Sequence, residues 1–163
     1  MAVSTLKMSF LTILLLIVVQ VTFSTACFGP KLFIGVEPGL EGEMRYHLIS
    51  IYLHEKTGID SIRVELKQDQ TALAAIAAQE IDLGFASDSV STAIAVLVLE
   101  EGLNLYSGER PINDLQFSTV GRVFKKLQKL LNPSHLSDIR QRVQAGDLPA
   151  TAVRNFMMKN DWI

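Results

Sequence analysis

Apolar and polar positions alternate in several distinct rhythms along this chain, and the rhythm predicts the elements. Lys31–Val36 (KLFIGV) is a short β-rich run that meets Gly35, Pro38 and Gly39, so it reads as a strand running into a loop. Residues 42–56 follow helical spacing, with Gly58 as the C-cap. On that helix Glu43, His47, Ser50 and His54 share one narrow stripe, while Met44, Leu48, Ile49, Ile51, Tyr52 and Leu53 cover most of the rest. Such a helix is buried on most sides and turns one polar stripe to water. Residues 62–66 (IRVEL) alternate as a half-buried strand does. Asp69 or Thr71 caps an alanine-rich helix over 72–79, and residues 81–85 (IDLGF) form a third strand. Residues 93–99 (AIAVLVL) are continuously apolar and read as a buried strand.

After Pro111 the pattern becomes helical. Phe117, Val120, Val123, Phe124, Leu127, Leu130 and Leu131 share a face. Pro133 stops that helix and Ser134 caps the next, which carries Leu136, Ile139 and Val143 inward and ends at Gly146. Asp147 and Pro149 start a last helix that runs to about Trp162. The order β-α-β-α-β followed by helices predicts an α/β fold: a mostly parallel sheet flanked by helices, with C-terminal helices added.

The N-terminus has a different character. Lys7 precedes an almost wholly apolar stretch over 10–21, and small residues Ser24, Thr25 and Ala26 precede Cys27. That is the layout of a secretory signal peptide, and the apolar run is shorter than the roughly 20 residues of a membrane span. The expectation is a signal peptide over residues 1–26 and one domain over 27–163, placed in the periplasm or outside the cell. Two readings of Cys27 stand side by side. Ser-Thr-Ala-Cys resembles a bacterial lipobox, in which Cys27 is lipidated and anchors the chain to a membrane, and ordinary cleavage after Ala26 fits as well. Cys27 is the sole cysteine, which excludes an internal disulfide and a multi-thiolate zinc site. With 15 Lys+Arg against 17 Asp+Glu, charge gives no reason to expect nucleic acid as a partner.

Two stretches resemble a known family. The first is KLFIGVEPGLEGEMRYHLISIYLHEKTGI with VELKQDQTALAAIAAQEIDLGFA, and the second is VGRVFKKLQKLLNPSHLSDIRQRVQAGDLPATAVRNFMMKNDWI. Together they are similar to the substrate-binding proteins of ABC importers for glycine betaine, choline and related osmoprotectants. The resemblance implies a type II periplasmic binding protein fold. It also implies a betaine-like solute, partnership with an ABC permease, and no cofactor. The chain departs from that family in one large respect. Family members close two lobes on the ligand, whereas here Ala86 is followed almost at once by the apolar run 93–99. One Rossmann-like lobe is expected, with the second absent or supplied by a dimer mate. The aromatic positions of a quaternary-ammonium cage are replaced by Gly84, Phe85, Ala86, Ser87 and Asp88.

In a parallel α/β sheet, ligands sit beyond the carboxyl ends of the strands. This points to Glu37, Pro38, Gly39 and Glu41 after the first strand, Gln70 and Thr71 after the second, and Ser87 and Asp88 after the third. Backbone N–H groups at helix starts suit a carboxylate, and acidic side chains suit a cation. Ordinary capping and solvated loops account for the same residues. Glu43, His47 and His54 raise a metal site, but a solvated stripe explains them more simply, and no metal is expected. Neither a G-x-S-x-G elbow nor a paired-carboxylate or Cys-His arrangement stands out, so catalysis is not expected. The run Arg122, Lys125, Lys126 and Lys129 reads as the solvated face of its helix. The resulting expectation is reversible binding of a small zwitterionic or cationic solute. The alternative is an interaction or sensor module that kept the scaffold and lost the ligand site.

Overall fold

The computed structural model describes residues 29–87, 93–100 and 102–163. The expected signal peptide, Cys27 and Asp88 lie outside the described residues. Five strands form one sheet in the order β2-β1-β3-β5-β4, where β1 is Lys31–Val36, β2 Asp60–Glu65, β3 Leu83–Ala86, β4 Ile94–Glu100 and β5 Leu103–Ser107. β1 pairs in parallel with both β2 and β3, while β5 is antiparallel to β3 and to β4. Four strands therefore run one way and β5 alone runs against them. The class is α/β: a mixed, mostly parallel open sheet flanked by helices, consistent with a single Rossmann-like lobe.

The helices are α1 (Leu40–Thr57), α2 (Ala72–Ala77), α3 (Arg110–Asn113), α4 (Val120–Leu130), α5 (Pro133–Gln144) and α6 (Pro149–Lys159). Alternation along the strands sorts side chains to two faces. Leu32, Ile34, Val36, Leu83, Phe85, Leu97 and Leu105 point to one face, where α1, α4, α5 and α6 seal them beneath Tyr52, Phe117, Phe124 and Met157. On the other face α2 lays Ala72, Ala75 and Ile76 against Leu66, Ile81 and Tyr106. α1 ends as the sequence requires, with Gly58 at φ 72° donating its N–H to the His54 carbonyl. Thr71 caps α2 by accepting from the Ala74 N–H.

Three local expectations are corrected. The apolar run over 93–99, expected as a buried strand, is buried only at Leu97 and Leu99. It is the edge strand β4, with Ile94 59% and Val98 51% exposed, because its hairpin partner β5 takes the inner place beside β3. The helix expected to run from Phe117 is broken. Leu115–Phe117 forms a 3-10 turn before α4 begins, and the four-residue α3 precedes both. The cap of α5 is Asn132 rather than Ser134: its side-chain oxygen accepts from the His135 N–H at 3.1 Å and from the Ser134 hydroxyl at 2.6 Å, and Pro133 takes the first helical position.

Candidate functional site

Beyond the carboxyl end of β1 the chain turns through Glu37–Gly39 directly into α1. The turn is tight: a Cβ on Gly42 would collide with the Glu37 carbonyl oxygen, so glycine is required there. The N-cap Gly39 supplies no side-chain acceptor to the first turn of α1. A cavity of about 370 Å³ opens between this turn and α5, lined by Pro38, Gly39, Glu41 and Met44 on one side and Arg140 and Val143 on the other.

Arg140 dominates its electrostatics. It donates through Nε to Glu41 Oε1 at 2.6 Å, and through Nη2 to Glu41 Oε2 at 3.2 Å and Glu100 Oε1 at 2.8 Å. These carboxylates raise the guanidinium above its ordinary pKa, the Glu41 hydrogen bond first, against a smaller opposing effect of burial. Arg45 lies one turn into α1, 3.5 Å from Glu37 and 3.8 Å from Glu41, with its Nε buried and unpartnered. The cavity lining therefore carries one charge of each sign, Glu41 and Arg140, with Arg45 and Glu100 paired to them from outside it and Glu37 paired to Arg45.

The structure thus brings Pro38, Gly39 and Glu41 together around one cavity, with Glu37 beside them on Arg45. Gln70, Thr71 and Ser87 do not line it. Thr71 is committed to its cap, Gln70 donates to Glu80 at 2.6 Å, and Ser87 is exposed at the end of β3. Arg140, Val143 and Arg45 escaped sequence reasoning. In the sequence Val143 reads only as a core position, and nothing in the local pattern of α5 indicates that Arg140 reaches back 99 positions to Glu41.

On the polar stripe of α1, Glu43 lies 3.8 Å from His47 and 2.6 Å from Arg63 of β2, and His54 pairs with Asp60 at 3.0 Å. Ser50 accepts from Ser61 at 2.6 Å. The stripe leans on β2 and remains partly open to water, with His54 exposed, and burial pushes the His47 imidazole below its ordinary pKa, against the pull of Glu43 and with help from Arg63. Among the described residues no group of three or more His, Cys, Asp or Glu is placed to hold a metal ion.

At the opposite, amino-terminal edge of the sheet, Asp82 is 7% exposed and accepts from the Phe33 N–H at 2.7 Å and from Arg110 Nε at 2.7 Å, with a second, shorter bond from Arg110 Nη2. Arg110 also donates to the Lys31 carbonyl at 2.8 Å and stacks over the rings of Phe33 and Phe117. A larger cleft of about 570 Å³ surrounds this pair. Its buried carboxylate, Asp82, is already saturated by structural bonds, so the smaller cavity is the better candidate site.

The fold is α/β, consistent with a single Rossmann-like lobe, and has a largely apolar crevice carrying one Glu–Arg pair at the carboxyl end of its first strand. Comparison with protein-family models, curated proteins and solved structures finds no match. No helix among the described residues is long and apolar enough to cross a membrane.

Proposed function

We propose that the chain is an extracytoplasmic solute-binding lobe that takes a small zwitterionic or cationic solute reversibly and without chemistry, as its resemblance to osmoprotectant-binding proteins implies. The observation that carries the reading is the cavity between the Glu37–Gly39 turn and α5, which presents Glu41 and Arg140 within one crevice. A betaine carries a carboxylate and a cation, and the crevice offers a partner for each. Export rests on the sequence of residues 1–27.

A second reading, an interaction module that kept the scaffold, is favoured by a specific feature of the same cavity. Glu41 and Glu100 already occupy donors of Arg140, and the described lining contains no aromatic ring to hold a quaternary ammonium. Thermal unfolding with glycine betaine, choline, carnitine and proline separates the two. A solute present at about 100 times its Kd stabilises the fold by about 2.7 kcal/mol. The binding reading expects a rise in Tm with at least one of these solutes that Arg140→Ala reduces. An unchanged Tm for all four at 100 mM leaves the interaction module as the function.

A further inference from the structure

The free edge of the sheet carries an unusual clasp. Among the described residues β4 has one strand neighbour, β5, and its outer edge has none. At that edge the Val98 N–H donates to Gln128 Oε1 at 2.6 Å, and Gln128 Nε2 donates back to the Val98 carbonyl at 3.2 Å. A side-chain amide thus supplies the same acceptor and donor pair that an adjacent strand would supply. Gln128 is exposed on α4, so rotating its side chain away uncovers the pair without moving the helix.

The two edges of the sheet differ in how they resist strand addition. β2 (DSIRVE) places Asp60, Arg63 and Glu65 along its edge, the usual protection by charge. β4 (IAVLVLE) carries no charge before Glu100 and relies on the Gln128 amide instead.

The surroundings specify the chemistry of an occupant. α4 packs over β4 on one face, and its Arg122, Lys125, Lys126 and Lys129 are charged with no acidic residue in the helix. None of the four makes an ion pair among the described residues. Lys125 stands three positions before Gln128, one turn along the same side of the helix. On the opposite face the edge shows the exposed side chains of Ala95 and Val98. A strand laid against β4 turns alternate side chains to these two faces. A second copy of β4 would bring two cationic α4 helices side by side, which like-charge repulsion opposes.

We propose that the β4 edge is a strand-addition site for an extended acidic segment of a partner protein. Its backbone replaces the Gln128 amide at Val98. Its alternate acidic side chains meet the cations of α4, and the apolar residues between them lie beside Ala95 and Val98. Gln128 holds the edge closed until such a segment arrives. Main-chain bonds give this mode its affinity and the flanking charges give its selectivity.

The test is fluorescence anisotropy of a labelled octapeptide of alternating Glu and Val, titrated with the full chain, with a Lys-Val octapeptide as control. Gln128→Ala removes the competing amide and is expected to tighten Glu-Val binding about tenfold. Lys125→Glu combined with Lys129→Glu is expected to weaken it about tenfold and to flatten its dependence on salt. Val98→Pro deletes the edge N–H at a position where an edge strand tolerates proline, and is expected to weaken binding as strongly. Equal binding of the Lys-Val peptide overturns the proposal, as does a Gln128→Ala chain that binds the Glu-Val peptide no more tightly than the parent. Self-association of Gln128→Ala in place of peptide binding overturns it as well and assigns the edge to a second copy.

Discussion

Removing the Asp82 carboxylate tests how the sheet is tied at its amino-terminal edge. Three donors converge on this side chain: the Phe33 N–H of β1 and two guanidinium nitrogens of Arg110 in α3. Asp82→Ala leaves the Phe33 N–H without an acceptor, and an orphaned amide of that kind costs about 1–3 kcal/mol. It also frees Arg110 from its carboxylate. Breaking a fully buried pair by deleting one partner costs about 3–5 kcal/mol. Arg110 is 39% exposed, however, and keeps its bond to the Lys31 carbonyl, so water recovers much of that loss. The sum for Asp82→Ala is then about 3 kcal/mol, and a chain of this size converts it to roughly a 10 °C drop in Tm. Asp82→Asn keeps one oxygen for the Phe33 N–H and loses both the charge and the oxygen that accepts from Arg110 Nε, so a cost smaller than that of Asp82→Ala is expected. Urea unfolding of the two variants, read by far-UV circular dichroism, measures both numbers. An Asp82→Ala chain within 1 kcal/mol of the parent, or equal costs for Ala and Asn, refutes the assignment of Asp82 as the junction of β1, β3 and α3.

Other consequences follow from burial and protonation. Tyr52 is fully buried with an unpartnered hydroxyl whose pKa burial raises, so Tyr52→Phe is expected to be neutral or to stabilise by up to about 1 kcal/mol in urea unfolding. Phe124→Ala and Phe156→Ala each open a cavity beneath the C-terminal helices and are expected to cost about 3–5 kcal/mol by the same measurement; loss of less than 1 kcal/mol would place that ring outside the core. His47 has its folded pKa lowered, so the unfolded chain binds the extra proton first as pH falls. Its contribution to stability is fully present above the unfolded value near 6.5 and is lost as pH drops below it. His47→Gln is expected to flatten the stability profile between about pH 7 and 5.

The sequence made most of the fold legible because local chemistry and tertiary placement agree there. The strand at Lys31–Val36, the long α1 with Gly58 behind it and the Thr71 cap each follow from a local rule that the final structure honours. The misses arise where position in the sheet decides. Continuous apolar character over 93–99 suits a buried strand and also suits an edge strand whose inner face is covered by α4, and the choice depends on β5 being inserted between β3 and β4. The candidate site divides in the same way. Pro38, Gly39 and Glu41 were found from the rule that crevices form at the carboxyl ends of strands. Arg140 was not, because its role depends on how α5 docks on α1. Asp82 stood in an apolar run as an isolated acid, a visible signal of a buried ion pair, but its partner Arg110 lies 28 positions away and only the fold unites them.

The Glu41–Arg140 pair gives the proposed solute site its own test, because it makes different demands on two related solutes. In the free protein Arg140 is held by Glu41 and Glu100, and all three side chains are about one-third to one-half exposed. A solute carboxylate that seeks Arg140 must displace Glu41 from it, while a solute cation that seeks Glu41 must displace Arg140. Each exchange trades one partly hydrated ion pair for another, so the net gain is about 1 kcal/mol or less per contact. Two such contacts supply at most about 2 kcal/mol, short of the roughly 4 kcal/mol of a millimolar complex, so binding no tighter than the millimolar range is expected. Glu41→Gln removes the competitor for carboxylates and the partner for cations in one step. Glycine betaine gains a freed Arg140 for its carboxylate and loses Glu41 as the partner of its cation, so its affinity is expected to change little. Choline, which carries no carboxylate, is expected to bind Glu41→Gln several-fold more weakly than it binds the parent. Isothermal titration calorimetry on both solutes and both proteins reads the two changes. If choline binds both proteins equally, or betaine loses as much affinity as choline, the crevice does not recognise the two charges through Glu41 and Arg140, and the pair serves only to fasten α5 to α1.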